Sequence, residues 1–194
     1  MLDRRRFALF TSAALPGFAG LAGFAGFASA QSGTAAMAGR LRAGACIVLW
    51  RHAQTVAGVG DPPGFTLASC STQRNLNEAG RTQARMAGEW FKAQQLTPHA
   101  VLSSAWCRCK DTADLAFGGH VAWAPLDSTF AEGDKAGAAR AEMAKRLAAL
   151  APGRFEVWVT HQVNITALTH DVPTMGEGLV VDSGGKVVAR GVFR

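Results

Sequence analysis

A three-layer α/β fold, with a mostly parallel central sheet and helices on both faces, is predicted by three observations. Two almost continuously apolar runs of strand length, ACIVLW at residues 45–50 and FEVWVT at residues 155–160, suit strands covered on both sides. Segments of helical periodicity alternate with such runs, as crossover helices do between parallel strands. The residues richest in chemistry fall directly after strand ends, where open parallel sheets form their sites.

The first thirty residues are set apart as an export signal. Arg4, Arg5 and Arg6 make a basic start, an apolar stretch rich in Gly, Ala and Phe follows, and Ala28-Ser29-Ala30 supplies the small-x-small end that a signal peptidase accepts. Cleavage is expected before Gln31. The run from Asp3 to Leu9 resembles a twin-arginine signal, which implies an export machinery as partner and a periplasmic destination. The alternative is a membrane tether through an uncleaved N-terminus, although Pro16, Gly17, Gly20, Gly23 and Gly26 would make a poor spanning helix. No stable span is expected once the signal is gone.

Residues 31–44 are small, Ala/Gly-rich and aperiodic, and read as a linker to a single domain at residues 45–194. That domain opens with the strand at 45–50. A long polar loop then leads to a helix over residues 77–95, where Ala84, Ala87, Trp90 and Phe91 recur at helical spacing and Asn77 is placed as its N-cap. A strand at 100–102, a helix at 105–117 and a third strand at 121–124 follow. Residues 136–151 have high helix propensity and end at Pro152-Gly153, before the strand at 155–160. A short helix at 163–169 precedes two strands around Ser183-Gly184-Gly185.

The net charge is +6, and +4 once Arg4, Arg5 and Arg6 leave with Asp3. No Lys/Arg block interleaved with aromatics follows Gln31, so nucleic acid is excluded as partner, while a modest positive field suits a small anionic substrate. Four cysteines would meet an oxidising compartment after export. Cys107 and Cys109 are too close to pair with each other, and Cys46 lies in the first strand as a buried thiol. A bond from Cys70 to either Cys107 or Cys109 is therefore expected.

Strand one runs into Arg51, His52 and Gln54. Strand two runs into Ser103-Ser104 with Arg108 just beyond, and strand four ends at Thr160-His161. Two imidazoles and two guanidiniums gathered at one sheet end suit phosphoryl transfer: a neutral His attacks phosphorus while the Arg forks hold the equatorial oxygens. Arg74 and Asn75, at the end of the polar loop, are candidates for the pocket rim. Trp106, beside Arg108, could pack over a substrate ring, though a core position is commoner for tryptophan. His99, His120 and His170 receive no role.

Four segments in order resemble the histidine phosphatase superfamily, the phosphoglycerate mutase-like group. Arg51-His52-Ala53-Gln54-Thr55 is similar to its Arg-His-Gly signature, with Ala53 in place of the Gly. Leu76 to Ala84 is similar to its Leu-x-Glu-x-Gly-x-x-Gln-Ala helix start, Ser103 to Ala113 to its second arginine motif, and Val159-Thr160-His161 to its second histidine. The resemblance implies His52 as nucleophile, a phosphate pocket of Arg51, Arg108 and His161, a phosphohistidine intermediate, and neither metal nor cofactor. It also implies a carboxylic acid for the leaving oxygen, for which Asp127 is preferred over Glu132 and Glu177 because it follows the third strand. Among family members, short exported chains of this kind look most like lipopolysaccharide core heptose phosphate phosphatases.

The expected function is hydrolysis of a phosphate monoester, with a sugar phosphate of the envelope as substrate. The alternatives are a phosphate- or sugar-phosphate-binding protein without turnover and, less favoured, a phosphomutase. Cysteine phosphatase chemistry needs Cys-x5-Arg, and both Cys46 to Arg51 and Cys70 to Arg74 fall short of it. No His-x-His, His-Glu-x-x-His or Cys-x-x-Cys spacing supports a zinc hydrolase.

Overall fold

The computed structural model describes residues 25–131 and 133–194. Residues 1–24, with most of the expected export signal, and Glu132, one candidate acid, lie outside the described residues.

Six strands form one sheet in the order β3-β2-β4-β1-β5-β6. They are β1 (Cys46–Arg51), β2 (Ala100–Ser103), β3 (Val121–Ala122), β4 (Phe155–Thr160), β5 (Glu177–Asp182) and β6 (Val187–Val192). β1 and β2 flank β4 in parallel, and β3 continues the parallel half. β5 and β6 return as an antiparallel pair beside β1. A mostly parallel sheet with helices on both faces is therefore what the apolar runs anticipated.

Side chains alternate along β1 and β4, so each strand feeds both layers. Trp50 and Val159 join a core with α1 (Ala25–Ala43), α2 (Glu78–Ala93) and α3 (Cys107–Phe117). Leu49 and Trp158 point into the opposite core, under α4 (Gly133–Ala148) and α5 (Gln162–Thr169). Trp50 meets Phe193 edge-on at 5.3 Å and Trp158 meets Trp123 at 5.1 Å, so one tryptophan anchors each layer. Glu156, the one charge in its strand, is buried yet satisfied. Arg146 of α4 donates to it twice at 2.8 Å and the Trp158 indole once at 2.7 Å.

The expected linker is corrected: residues 31–43 belong to α1. Met37, Ala38 and Leu41 are fully buried and make one apolar stripe at helical spacing. β6 makes room for this stripe, because a Cβ at Gly191 would approach the Met37 sulfur to 3.2 Å. Small residues looked like linker composition, yet Ala is the strongest helix former. No helix among the described residues is long and apolar enough to cross a membrane.

Other boundaries move little. Asn77 caps α2 as expected, its side chain accepting the Gly80 amide at 2.8 Å. The third strand keeps only Val121 and Ala122, and residues 124–126 turn as a 3₁₀ segment containing Pro125. Of the two expected partners for Cys70, Cys107 forms the disulfide. Cys46 and Cys109 are free and buried, and burial pushes their thiols up to about 11 and about 12.

Candidate active site

His52 continues the pairing of β1 with β4 by one residue, its amide donating to Thr160 O at 3.0 Å. This brings the ring of His52 beside that of His161, with centroids 5.6 Å apart. Around the two rings is a cavity of about 500 Å³ lined by Arg51, Arg74 and Arg108, by Asp61, and by the aromatic rings of Phe65, Trp106 and Phe130. Gln162 and Val163, at the N-terminus of α5, complete the wall. Exposed amides at such a helix end favour anions.

The tautomer of His52 follows from its hydrogen bond. Nδ1 of His52 lies 2.8 Å from the carbonyl of Ala53, which can only accept, so Nδ1 carries the proton and Nε2 keeps its lone pair. Burial is the largest cause holding this imidazole unprotonated. The bond to Ala53 opposes it, but Arg108, Arg51 and Arg74 add repulsion, and the pKa falls from 6.5 to about 3.

The same reasoning settles His161. Arg108 Nη2 can only donate, so Nδ1 of His161 accepts at 3.4 Å and Nε2 donates to Ser104 Oγ at 2.9 Å. Burial first, then Arg108, keeps this ring neutral well below its ordinary range.

Three buried connections hold the loop after β1. The Ala53 amide donates to Thr112 Oγ1 at 3.0 Å, and that hydroxyl donates to Arg108 O at 2.7 Å, which ties the loop carrying His52 to α3. The Gly176 amide donates to His52 O at 3.0 Å from the far side. Gly80 must lack a side chain, since any Cβ there would overlap the carbonyl of Gln54. Ala53 itself stays outside the left-handed region, so the absence of the signature's Gly costs nothing.

Arg108 is buried and faces Asp61, whose oxygens lie 2.8 and 3.1 Å from Nη1. Arg51 donates through Nη1 to Pro173 O at 2.8 Å, and Arg74 to Val59 O at 2.7 Å. Nε of all three arginines is buried with no hydrogen-bond partner. With both imidazoles neutral, three guanidiniums against one carboxylate leave a surplus of two positive charges among the described residues of the cavity. That is the complement of a phosphate monoester dianion.

A sequence profile of the histidine phosphatase superfamily (branch 1) matches residues 47–163, more than half of the chain. The chain belongs to this superfamily. The chain is similar to phosphoglycerate mutase from Thermus thermophilus, at 20% identity over 75% of this chain and 97% of that one, with a TM-score of 0.53. It is also similar to the putative phosphohistidine phosphatase SixA from Agrobacterium tumefaciens, at 18% identity over 75% and 96% of the chains, with a TM-score of 0.50. A mycobacterial glucosyl-3-phosphoglycerate phosphatase complexed with VO3 aligns at 23% identity over 63% and 79%, with a TM-score of 0.46. No curated protein matches significantly.

The histidine phosphatase site thus unites five residues expected from sequence, Arg51, His52, Arg74, Arg108 and His161. Four others lie elsewhere. Gln54 is exposed and turned toward α2, its amide donating to Gln83 Oε1 at 3.1 Å. Asn75 donates to Cys70 O at 2.6 Å and supports the loop from behind. Asp127 accepts the Ala105 amide through Oδ1 at 2.7 Å, and the cavity wall at that point is Ser128. Glu177 pairs with Arg190 at 2.6 Å, outside the cavity wall.

The residue missed from sequence is Asp61. It sits in a Gly60-Asp61-Pro62-Pro63-Gly64 stretch whose composition announces only a turn. Among the described residues, no group of three or more His, Cys, Asp or Glu gathers as metal ligands would.

Proposed function

We propose that this histidine phosphatase hydrolyses a phosphate monoester through a phosphohistidine on His52, and that it does so in the periplasm after export. The observation that carries the reading is the bond from His52 Nδ1–H to Ala53 O, which leaves Nε2 unprotonated among three guanidiniums. Nε2 attacks phosphorus as the ester P–O bond breaks, Arg51 and Arg108 hold the equatorial oxygens, and water then displaces the phosphoryl group from Nε2. None of these roles needs a metal.

A sugar phosphate of the envelope, of the lipopolysaccharide heptose kind, suits the aromatic wall of Phe65, Trp106 and Phe130, because apolar sugar faces stack on such rings. A surplus of two positive charges matches one phosphate and argues against the bisphosphate that a mutase would hold.

The deciding experiment is rapid quench of the purified protein with a labelled phosphate ester. An acid-labile phosphoenzyme that disappears in His52→Ala, together with turnover that persists in EDTA, is the expected result. Binding without phosphate release would make the protein a phosphate-binding module instead. Orthovanadate, a trigonal-bipyramidal mimic of the group in transfer, should inhibit. The mature N-terminus is expected at Gln31 by mass spectrometry of the periplasmic fraction, and a protein retaining residues 1–30 would leave the tethered alternative.

A further inference from the structure

Among the described residues lining the cavity, Asp61 is the one carboxylate. Its contacts are arranged as a phosphate's would be. Both oxygens lie on Arg108 Nη1, at 2.8 and 3.1 Å. Oδ1 also accepts the Arg74 amide at 2.9 Å, and Oδ2 the Trp106 indole at 3.2 Å. A substrate that takes Arg108 Nη1 must therefore compete with Asp61 for it.

The exchange changes what Asp61 can do. Burial disfavours its charge, and hydrogen bonds from Arg108, Arg74 and Trp106 overcome that effect, so the free protein keeps the carboxyl ionised below its ordinary range. When a phosphate dianion takes Arg108, the burial remains, the largest attraction turns elsewhere, and a second anion arrives alongside. Both changes favour protonation, as does the burial that remains. Asp61 lies between the left-handed turns at Gly58 and Gly64, and a Cβ at Gly58, Gly60 or Gly64 would meet nothing within 4 Å, so the loop around it is loosely packed.

We propose that Asp61 is the proton donor to the leaving oxygen, armed by the substrate itself when phosphate displaces it from Arg108. This rests on the phosphatase reading above. As phosphate takes Arg108, Asp61 takes a proton from solvent water. In the first step the His52 Nε2 lone pair forms the N–P bond, the ester P–O bond breaks, and the departing oxygen takes the Asp61 proton. In the second step water attacks phosphorus, the N–P bond electrons return to Nε2, and Asp61 accepts the water proton. Phosphate then leaves, Asp61 returns its proton to solvent, and Arg108 recovers its carboxylate.

The test compares wild type, Asp61→Asn, Asp61→Glu and Asp127→Asn on p-nitrophenyl phosphate, whose phenolate leaves unprotonated, and on glycerol 2-phosphate, whose alkoxide cannot. Asp61→Asn should lose roughly 10²–10⁴-fold on glycerol 2-phosphate and less than about tenfold on p-nitrophenyl phosphate. Its orthovanadate inhibition should stay equal or tighten, because a neutral amide competes less for Arg108. Asp61→Glu should recover at least about tenfold of the alkyl-ester loss, which a merely structural role would not restore. Equal losses on both esters, weakened vanadate inhibition, or the leaving-group asymmetry found in Asp127→Asn instead would overturn the assignment. A wild-type protein that releases phosphate from neither ester ends the hydrolase reading and this one with it, and it does so before any variant is made.

Discussion

The imidazole of His52 donates from Nδ1 to the carbonyl of Ala53, its own neighbour, at 2.8 Å. One local bond therefore sets the tautomer of the nucleophile without help from any other side chain, and burial among guanidiniums keeps the ring neutral. Activity should consequently not be limited by His52 protonation until the pH approaches its depressed value of about 3. A pH profile of kcat/KM with an acid limb near 6.5 that shifts in conservative variants of Arg51 would assign that limb to His52 and contradict this.

The same depressed values make stability pH-dependent. His52 and His161 both titrate lower in the folded protein than the ordinary 6.5, so below 6.5 the unfolded chain binds more protons. Their stabilising contribution is fully present above 6.5 and is lost as the pH falls toward the folded values. The folding constant should drop by up to about tenfold per pH unit for each imidazole in that window. Urea unfolding of wild type and His52→Gln between pH 7 and pH 4.5 checks it, with a shallower decline expected in the variant.

Thr112 accepts from the Ala53 amide at 3.0 Å while donating to Arg108 O at 2.7 Å. Thr112→Val keeps the shape and strands that buried amide, at a cost of about 1–3 kcal/mol. Because the amide belongs to the residue after the nucleophile, kcat should fall with KM nearly unchanged. Loss of stability with full kcat would show that the strut does not orient His52.

The Cys70–Cys107 bond closes a loop of 37 residues that carries Arg81 and the helix α2 and ends one residue before Arg108. Replacing both cysteines by serine should cost about 2–4 kcal/mol in chemical denaturation. In the native protein Cys46 and Cys109 should resist thiol reagents, because both are buried and their thiols are pushed up to about 11 and about 12. Two rapidly reacting thiols in the unreduced protein would refute the pairing.

Arg108 meets both oxygens of Asp61 through Nη1 alone, and its guanidinium could offer a phosphate a planar pair of donors. Arg108→Lys preserves the charge but loses the paired donors, so kcat/KM should fall roughly 10- to 100-fold. A variant with wild-type kcat/KM would mean that charge alone suffices.

Truncation tests where the folded domain begins. A protein beginning at Gln31 keeps Met37 and Leu41 in the core, whereas one beginning at Ala45 empties both positions. Each lost side chain should cost about 2–5 kcal/mol, and the shorter form should aggregate or melt early by circular dichroism.

Much of the fold was legible because strands buried on both faces cannot hide polar residues, as the runs at 45–50 and 155–160 show. The site was legible where chemistry sits at strand ends, as with His52, Arg108 and His161. Residues 31–43 were misread because Ala and Gly carry little hydrophobic contrast, so a stripe of Met37, Ala38 and Leu41 did not stand out. Asp61 was missed for another reason. Its position depends on a long loop folding back over α3, and the path of such a loop is set by contacts remote in sequence, such as Gln73 Oε1 accepting the Cys107 amide at 2.9 Å. Asp127 was placed correctly along the chain, but its side-chain direction is fixed by the Ala105 amide, which no pattern reveals.

The position of β4 between β1 and β2 also governs when the protein becomes competent. A ribosome releases His52 and Arg108 first, yet the strand that separates and aligns them, and the His161 that follows it, emerge only with residues 155–161. The growing chain therefore carries a sheet with its centre missing. A nascent polypeptide of this design has no assembled site until β4 has emerged and inserted between β1 and β2.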